Sequence, residues 1–449
     1  MLKTEISKIF QERRNRAAKS LQGGTLILPG ARELVRNNDV HFEFRQLSDF
    51  YYLTGFEEPD AWLILRPLRG DQQKYESVLL VHEREPLKEV WTGEIYGTDR
   101  AQSLFRFDKV YPLTELESVL RQTLQSAQQV HYRLGLDPLL DHWVLKVLEG
   151  VREAQGRKYP PNQDIIDPSR ILFEMRSIKD AEEIEHMRHA AKLSAAAHLK
   201  LMERFQPGMT EFEAQAIIEY EFKTRGAKRL AYPSIVAGGA NATCLHYHHN
   251  NEKVPADALL LVDAGGEYEY YASDITRTFP VSAQFSREQA AIYDLVLEAQ
   301  QKTIQAIRPG QTLAGLHRVA SLVLAQGLID MKVLGGSPEE VVDSGEIKRI
   351  YPHGTGHWIG LDVHDTNPAT EPENSTEPRV LKPGMCFTVE PGLYFQMNDS
   401  KAPESLRGIG IRIEEDVVVT EDGVEVLTTD VPNVRSEIEA IRSKALRSK

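Results

Sequence analysis

Acidic side chains at the ends of apolar strands restrict the fold of this sequence more than any other feature. The apolar run LLLV at residues 259–262 ends in Asp263, and eleven residues later the segment SDITRT contributes Asp274. A buried carboxylate that lacks a partner is costly, so it must find a cation or change its protonation state. A hairpin between the two segments would bring both aspartates to one edge of a sheet, although turn caps would explain this spacing equally well.

A run rich in glycine and histidine lies between residues 353 and 365. It reads HGTGHWIGLDVHD and places His353, His357 and His364 within twelve residues. Its three glycines free the local dihedral angles and let the backbone approach a ligand closely. A single histidine is more often a core residue than a ligand, but three in such a run indicate a functional site. The helical HExxH pattern of single-zinc sites is absent from the sequence.

Two further apolar strands each carry a glutamate. Glu390 follows the run FTV, and Glu414 follows the run IRI. Glu390 could instead face solvent from its strand. Glu414 could form a salt bridge with Arg412, which is two residues away on the same face of the strand.

The polar stretch 157–170, which contains three prolines, predicts a linker between two domains. The chain of 449 residues also exceeds the usual size of a single core. Before the linker, apolar strands mix with helical patterns, which predicts a small α/β domain over residues 1–172. The strands are expected at 24–29, 42–53, 60–66 and 77–82, and the helices at 113–127 and 139–154.

Residues 173–449 predict helix pairs that alternate with groups of strands. A helix at 179–205 precedes one that starts at Thr210, where the spacing to Glu213 is that of a capping box. Because the order of elements occurs twice, we expect an α+β domain with internal duplication, although no sequence repeat is visible. The charged residues after 434 predict a surface helix or partial disorder. The remaining elements are helices at 286–307 and 312–328 and strands at 258–263, 268–272, 386–390 and 411–419.

Composition excludes several classes of partner. The formal net charge of −13 argues against binding to nucleic acid or to an anionic membrane. The two cysteines, Cys244 and Cys386, lie far apart in apolar runs and predict buried free thiols in a reducing compartment. The charged N-terminus lacks the apolar core of a signal peptide, and no stretch approaches the ~18 apolar residues of a membrane span. We therefore expect a cytoplasmic protein.

The order and local context of five of these residues resemble the metal ligands of the pita-bread metallopeptidases. This family contains methionine aminopeptidases, prolidases and Xaa-Pro aminopeptidases. The finer match is to the bacterial Xaa-Pro aminopeptidases, through the glycine- and histidine-rich run and the segments YPSIV, CLHY, RQLSDFYYLTGF and VWTG. The resemblance implies a small N-terminal α/β domain followed by a pita-bread domain with a pseudo-twofold internal duplication. The five residues are Asp263, Asp274, His357, Glu390 and Glu414.

This resemblance implies two divalent metal ions in the second domain. Asp263 would chelate one ion with both oxygens, and Asp274 and Glu414 would bridge the pair. His357 and Glu390 would complete the shell of the other ion. Oxygen ligands with one imidazole favour Mn²⁺, with Co²⁺ or Zn²⁺ as substitutes. Without cations, two carboxylates about 4 Å apart would repel by about 4 kcal/mol at an effective dielectric constant of about 20.

Other positions match residues of the family that contact substrate or hold the ligands in place. Tyr232 and Arg412 match residues that hold the ligand network, and we expect Tyr394 to help form a pocket for the flat proline ring. Trp91 matches an aromatic residue that can reach the active site of a neighbouring subunit, which implies a homodimer or homotetramer. The histidines that match contacts to substrate and to the tetrahedral intermediate are His246, His353 and His364.

The implied reaction releases the N-terminal residue from a peptide with proline in the second position. Two metal ions ~3.5–4 Å apart lower the pKa of a water between them and stabilise the tetrahedral oxyanion. Glu390 would take the proton of that water and pass it to the leaving nitrogen. One metal ion would also hold the free α-amino group of the substrate.

Three other functions are compatible with the fold. A prolidase, which cleaves only Xaa-Pro dipeptides, shares the five ligands and is the principal alternative. A creatinase-like hydrolase and a non-catalytic binding module lose the ligands, so the intact set disfavours both. The pair His248-His249 departs from the pattern of the family and could alter the substrate entrance.

Overall fold

The structure is a computed structural model in which the described residues are 3–68, 71–156, 164–366, 370–371 and 376–447. The chain divides into two compact units, Met1–Met175 and Arg176–Lys449. In the described part of the chain, we find no helix with the length and apolar character needed to cross a lipid bilayer.

Among its described residues, the first unit combines a six-stranded sheet, a separate short hairpin and seven α-helices. Its strands are β1 (Thr25–Pro29), β2 (Val35–Asn37), β3 (Val40–His41), β4 (Trp62–Leu68), β5 (Asp71–Val81), β6 (Lys109–Pro112), β7 (Gln129–His131) and β8 (Asp164–Ile166). Its helices are α1 (Lys3–Ser20), α2 (Ser48–Thr54), α3 (Pro86–Thr92), α4 (Gly97–Phe105), α5 (Leu116–Leu124), α6 (Pro138–Gln155) and α7 (Ser169–Ser177), the last of which extends two residues beyond Met175, the end of the unit. The sheet order is β6-β5-β4-β1-β7-β8. Neighbours pair antiparallel in the centre and parallel towards both edges, so the sheet is mixed.

Alternate residues of the central strands form the core of the first unit. Ile27 pairs with Ile64, and Ile64 pairs with Val78, so all three point to the same face of the sheet. They pack in one apolar cluster with Leu120 of α5 and Leu148 of α6. The alternating pattern of the strands therefore places these helices over one face.

The aromatic stretch 42–53 does not form the expected strand. Its second half lies in α2, where residues 50–53 are all buried. Four successive buried side chains do not suit a strand with one buried face. The helix ends at Gly55, whose φ of 64° lies in the left-handed region that glycine adopts readily. Burial around the whole helix hides its periodicity in the sequence.

The predicted linker 157–170 is only partly a linker. Residues 157–163 lie outside the described residues, whereas 164–166 form β8 at the edge of the first sheet. The predicted domain limit after residue 172 falls inside α7, close to the limit after Met175 that separates the two compact units. The position of that limit stays a prediction.

The second unit contains two helix pairs, each followed along the chain by a three-stranded antiparallel sheet. Its helices are α8 (Ala181–Arg204), α9 (Glu211–Thr224), α10 (Arg287–Ala306), α11 (Leu313–Asp330), α12 (Pro338–Asp343) and α13 (Arg435–Arg447). Its strands are β9 (Arg229–Leu230), β10 (Ile235–Gly238), β11 (Leu259–Asp263), β12 (Gly266–Tyr268), β13 (Tyr271–Ala272), β14 (Thr276–Pro280), β15 (Cys386–Val389), β16 (Gly392–Tyr394), β17 (Gly410–Arg412), β18 (Glu415–Val419) and β19 (Val424–Val426). Helix α8 packs on α9 and α10 packs on α11, and the two sheets are β10-β11-β14 and β15-β18-β19. The same order of elements thus occurs twice, as expected for an internal duplication.

The capping box predicted at the start of α9 is confirmed. The hydroxyl of Thr210 accepts from the amide of Glu213 at 3.2 Å, and the Glu213 carboxylate accepts from the amide of Thr210 at 2.7 Å. These two bonds satisfy amides that a helix start otherwise leaves without a partner. The start of α9 is therefore fixed by its local sequence.

The C-terminal residues pack more closely than the sequence predicts. Arg442, a residue of helix α13, is completely buried. Its guanidinium donates to four backbone carbonyls of the second unit, including those of Met202 and Val281 at 2.6 Å each. Burial lowers the pKa of Arg442 to about 10. The expectation of a surface helix is wrong for this side chain, because the carbonyls that hold it come from distant residues.

Candidate active site

Strands of the second unit end or begin at the acidic residues of the predicted site. Strand β11 ends at Asp263 and pairs antiparallel with β14, whose first residue, Thr276, lies opposite Asp263. Asp274 precedes Thr276 by two residues and therefore stands beside Asp263. Glu390 follows β15 directly, and Glu414 precedes β18 and donates its amide to the carbonyl of Thr276 at 3.1 Å. The pairing predicted for the two aspartate segments is present.

The backbone of β15 holds His357 at this cluster. The amide of Thr388 donates to the carbonyl of His357 at 2.9 Å, and the amide of His357 donates to the hydroxyl of Thr388 at 3.1 Å. A Cβ atom on Gly356 would lie 1.8 Å from the carbonyl oxygen of Thr388. Only glycine fits at this position, so the glycine of the run allows its backbone to pack directly against strand β15.

The five predicted ligands line one cavity of about 510 Å³. Potential ligand atoms of Asp274, His357 and Glu414 all lie within 4.8 Å of one another. Nε2 of His357 is 3.5 Å from Oδ2 of Asp274 and 3.7 Å from Oε1 of Glu390. The structure therefore brings together side chains that the sequence separates by up to 151 positions.

Tyr232 connects the fifth residue, Asp263, to this group. Its hydroxyl oxygen is 2.5 Å from Oδ1 of Asp263 and 2.5 Å from Oδ1 of Asp274. Burial and the charges of the two aspartates raise the pKa of Tyr232 well above its ordinary value, so the phenol keeps its proton and donates. The role predicted for Tyr232, holding the ligands in place, is compatible with this position.

Burial and mutual repulsion shift the ionisation of the acidic residues. Burial, and then the charges of Asp274 and Glu390, raise the pKa of Glu414 well above its ordinary value. Burial also raises the pKa of Glu390 to about 7, against the opposing charge of His357. For Asp274, burial acts in the same direction, but the hydrogen bond from His357 lowers the pKa overall. Carboxylates gathered in this way require compensating cations, so the donor set fits divalent metal ions.

The orientation of His357 also fits a metal. Its Nδ1 is 3.1 Å from the carbonyl oxygen of Trp358, and because a carbonyl only accepts, Nδ1 carries the hydrogen. Nε2 then points at the carboxylates of Asp274 and Glu390. Burial lowers the pKa of His357, but the hydrogen bond to Asp274 and the charge of Glu390 raise it to about 9 overall. A cation between Nε2 and the carboxylates would satisfy both, and the Trp358 carbonyl would orient the ring.

Arg412 pairs with Asp263 and reaches Glu414 through a hydroxyl group. Nη2 of Arg412 donates to Oδ2 of Asp263 at 2.6 Å, and Nε donates to Oγ1 of Thr276 at 3.1 Å. The hydroxyl of Thr276 in turn donates to Oε2 of Glu414 at 2.6 Å. Burial raises the pKa of Asp263, although the charge of Arg412 opposes this. The structure thus places the Arg412 guanidinium against Asp263 rather than in the salt bridge with Glu414 considered from the sequence.

A chain of hydrogen bonds continues from Arg412 to His353. Nη1 of Arg412 donates to the Tyr394 hydroxyl at 3.0 Å, which lies 2.8 Å from Nε2 of His353. Nδ1 of His353 is 2.7 Å from the carbonyl of Gly354 and must donate to it, so Tyr394 donates to Nε2. Burial and the charge of Arg412 lower the pKa of His353 to about 3, which keeps the ring neutral.

The other two predicted histidines also line the cavity. The ring of His364 lies 4.3 Å from that of His357, and burial and the His357 charge lower the pKa of His364. His246 lies beside His248, with ring centroids 6.2 Å apart, and both line the cavity. His248, which departs from the pattern of the family, therefore lines the cavity, and its effect on the substrate entrance stays a prediction.

Trp91 and the two cysteines were also singled out from the sequence. Trp91 is in α3 of the first unit, with its side chain 87% exposed. Cys386 is buried as expected, but Cys244 is exposed, so the prediction of two buried thiols is wrong for Cys244. Its apolar neighbours in the sequence do not form a strand, because residues 239–243 form a 3-10 turn that ends at Cys244.

Several residues that contact the site were not among those predicted. Thr276 accepts a hydrogen bond from Arg412 and donates one to Glu414. It lies two residues after Asp274, and since residues two apart in a strand share a face, this spacing was a signal available in the sequence. Thr355 lies 2.6 Å from the Tyr351 hydroxyl and 2.9 Å from Nδ1 of His317. His317 comes from α11, and nothing in its local sequence indicates this contact.

Comparison with known proteins identifies the family to which this fold belongs. Residues 185–421 match the model of metallopeptidase family M24, and residues 10–132 match the aminopeptidase P N-terminal domain. The chain is 37% identical to the Xaa-Pro aminopeptidase of Escherichia coli (strain K12) over 440 residues, which are 98% of each chain. A variant of E. coli aminopeptidase P solved in complex with substrate superposes with a TM-score of 0.94 at 36% identity, covering 98% of this chain and 99% of that one.

The zinc-substituted form of the E. coli aminopeptidase P, solved with product, gives a TM-score of 0.93 at 36% identity and covers 98% of each chain. The fold predicted from the sequence, a small N-terminal α/β domain followed by a pita-bread domain, is confirmed. With its metallopeptidase match covering more than half of its length, this chain belongs to metallopeptidase family M24.

Proposed function

We propose that this protein is a metal-dependent aminopeptidase that releases the N-terminal residue of peptides with proline in the second position. One observation carries the proposal: four acidic side chains and His357 line the same cavity as His246, His353 and His364. Membership of family M24 and similarity along nearly the whole chain to an Xaa-Pro aminopeptidase support it.

The cluster of acidic residues would hold two divalent cations. The oxygen-rich set with one imidazole favours Mn²⁺, with Co²⁺ or Zn²⁺ as substitutes. When bound, such ions supply Lewis-acid stabilisation and lower the pKa of a water molecule. The residues that would hold them are Asp263, Asp274, His357, Glu390 and Glu414.

Glu390 is the residue to which we assign proton transfer. Its Oε1 is 3.7 Å from Nε2 of His357 and its Oε2 is 3.8 Å from Nδ1 of His353, so the carboxylate lies between two histidines at the cavity wall. From there Oε can accept the proton of the attacking water and return it to the leaving nitrogen. The backbone amide of Glu390 is fixed by the Thr355 carbonyl at 2.7 Å, which limits movement of the side chain.

The histidines would bind the substrate and the tetrahedral intermediate. Hydrogen bonds from Tyr394 and to Gly354 orient the neutral ring of His353. His364 and His246 face the same cavity and would donate to the carbonyl groups of the peptide. Arg412 donates to the Tyr394 hydroxyl, which in turn donates to Nε2 of His353, so the direction of each hydrogen bond in this chain is defined.

Recognition of proline must rely on shape. The bond before proline is a tertiary amide without an N–H group, so it cannot make the strand-like hydrogen bond that many peptidases use. Apolar side chains lie in the same cavity as the histidines and would contact the ring and the neighbouring side chain. They are Pro233, Ile235, Leu245 and Val363.

We further propose that the enzyme acts in the cytoplasm as a homodimer or homotetramer. Leu87, Val90 and Trp91 on α3 are 85%, 81% and 87% exposed, which leaves an apolar surface suited to contact with another subunit. Trp91 would then reach the active site of that subunit. Sedimentation of the purified protein, and of Trp91→Ala, tests the assembly.

A peptide panel tests the activity. The purified protein should cleave Xaa-Pro-Yaa peptides, lose activity with a chelator, and regain it with Mn²⁺. Xaa-Ala-Yaa peptides serve as the control for proline specificity. Cleavage of Xaa-Pro dipeptides alone would identify a prolidase, and undiminished cleavage after removal of all ions would refute the proposal.

A further inference from the structure

A completely buried glutamate lies in the first turn of α9, outside the set of predicted ligands. Glu211 is 0% exposed, and its carboxylate accepts four hydrogen bonds. Oε1 accepts from the amide of Gly238 at 2.8 Å and from Nδ2 of Asn241 at 2.9 Å. Oε2 accepts from the hydroxyl of Tyr247 and the amide of Glu252, both at 2.9 Å. These bonds compensate a group that would otherwise be costly to bury.

All four donors belong to one segment, residues 238–252, which connects β10 to the residues before β11. The donors include both ends of the segment and two side chains within it. A fifth bond runs the other way, from the amide of Glu211 to the carbonyl of Glu252 at 2.9 Å. Glu211 therefore connects the two ends of the segment, Gly238 and Glu252, through hydrogen bonds to its carboxylate.

The segment supplies part of the active-site cavity. Leu245, His246 and His248 line the cavity, whereas Tyr247 is buried and points to Glu211. The inward position of Tyr247 fixes the outward position of its two histidine neighbours. Tyr247 also packs in a small apolar cluster with Ile235, Ala237, Ala242 and Leu261.

Glu211 is held by the capped first turn of a regular helix, α9. It occupies the first position of α9, where the helix dipole favours a negative charge. The capping box of Thr210 and Glu213 fixes the same turn. A site held by a regular helix keeps its geometry better than one held by loops alone.

We propose that Glu211 is a positioning residue that sets the place of His246 at the cavity, a role that rests on the proposed aminopeptidase function. A carboxylate suits this role because it only accepts, and here it meets four donors. Glutamine has nearly the same shape, but its NH₂ group would face N–H or O–H donors on one side. Glu211→Gln should therefore disturb the segment while leaving the volume of the side chain almost unchanged.

The full-length enzyme carrying Glu211→Gln tests this role. We expect kcat on an Xaa-Pro-Yaa peptide to fall on the order of 10- to 100-fold, as small displacements of a catalytic group do. Metal content measured by elemental analysis should stay at the wild-type level. Glu213→Gln is the matched control, because it makes the same chemical change in the same turn while keeping an oxygen that accepts from the Thr210 amide. Glu213 bonds to Thr210 and does not line the cavity, so this variant should keep wild-type kcat.

A double-mutant cycle separates positioning from general loss of structure. If Glu211 acts through His246, Glu211→Gln should lower kcat much less in a His246→Ala background than in the wild type. A general structural defect would lower kcat equally in both backgrounds, and that result would overturn the proposal. Wild-type kcat in Glu211→Gln would overturn it as well.

Tyr247→Phe provides a second variant should Glu211→Gln fail to fold. It removes one of the four donors without burying a misplaced group, so a smaller decrease in kcat is expected, again coupled to His246. Amide hydrogen exchange should accelerate in residues 238–252 and not in α9. Unchanged kcat and unchanged exchange would refute the role of Glu211. A wild-type enzyme without activity on Xaa-Pro peptides would refute the proposed function instead.

Discussion

Arg412 donates from Nη2 to Oδ2 of Asp263 across 2.6 Å, although 149 positions separate the two residues. Both side chains are nearly buried, with 5% and 11% of their surface exposed. The pair places one fixed positive charge next to a cluster of carboxylates. It also joins strand β17 to the end of β11, so it is one of the contacts that link the two halves of the second unit at the site.

We expect Arg412→Lys to lower kcat on Xaa-Pro peptides on the order of 100-fold. The guanidinium donates in three directions, to Asp263, Tyr394 and Thr276, and one ammonium group cannot reproduce that geometry. Steady-state kinetics with metal in excess measures the effect. Arg318→Lys is the control: Arg318 and its partner Asp343 are 48% and 61% exposed, so kinetics and stability should hardly change. Wild-type kcat in Arg412→Lys would contradict the expectation.

Removing metal should lower both activity and thermal stability. The raised pKa values of Glu414 and Glu390 reflect buried acidic groups that repel one another, and bound cations would relieve that repulsion. At a Mn²⁺ concentration of about 100 times Kd, binding to the folded state alone stabilises by about 2.7 kcal/mol. Thermal unfolding with chelator and with added Mn²⁺ measures this difference. Asp274→Asn should reduce the shift, and an identical shift in that variant would argue against Asp274 as a ligand.

Local patterns in the sequence predicted the parts of the structure that depend on near neighbours. The apolar run before Asp263 forms a buried strand, and the spacing of Thr210 and Glu213 forms the capping box. Both features are fixed within a few residues. The acidic residues could be selected as candidates for the same reason, since a carboxylate at the end of an apolar strand needs a partner wherever the strand lies.

Contacts between distant segments explain most of what the sequence did not predict. Arg412 has Glu414 as its neighbour in the strand, yet pairs with Asp263, because β17 lies near the end of β11 in the fold. Arg442 appeared to be an exposed helical residue, but four backbone carbonyls from other elements surround it. Glu211 gave no signal, because its donors lie on a segment that begins 27 residues later. The partner of a polar side chain is a property of the fold, and local sequence does not contain it.

The two cysteines should differ sharply in reactivity. Cys244 is exposed, whereas Cys386 is buried and burial raises the pKa of its thiol to about 12. A thiolate is the reactive form, so a thiol reagent should modify one cysteine in the folded protein and both after unfolding. Because Cys244 is two residues from His246, a bulky adduct should also reduce activity. Cys244→Ser removes both effects if the assignment is correct, and rapid modification of two thiols in the folded protein would contradict it.

Asp365 should make the free energy of unfolding of the second unit decrease at acidic pH. Its carboxylate lies between Nη2 of Arg176 at 2.5 Å and Nζ of Lys179 at 3.0 Å, and its side chain is 1% exposed. Burial alone would raise its pKa, but Lys179 and Arg176 lower it overall. A carboxyl group with a lower pKa in the folded state stabilises that state fully above its unfolded pKa of about 3.9. The stabilisation is lost as the pH falls through the folded pKa.

Asp365→Asn should therefore lower the free energy of unfolding by about 3–5 kcal/mol at pH 7, because Arg176 and Lys179 lose the buried carboxylate that lies between them. The difference between variant and wild type should shrink as the pH falls from about 4, the pKa of the unfolded carboxyl group, towards the lower pKa at which the folded carboxylate takes up its proton. Urea unfolding at a series of pH values measures both effects. Asp362→Asn is the matched control, since Asp362 contacts the same Arg176 at 2.7 Å but is 40% exposed, and its loss should cost about 1 kcal/mol or less. A difference for Asp365→Asn that stays constant down to the acid transition, or an equal cost for Asp362→Asn, would show that the buried ion pairs do not control stability here.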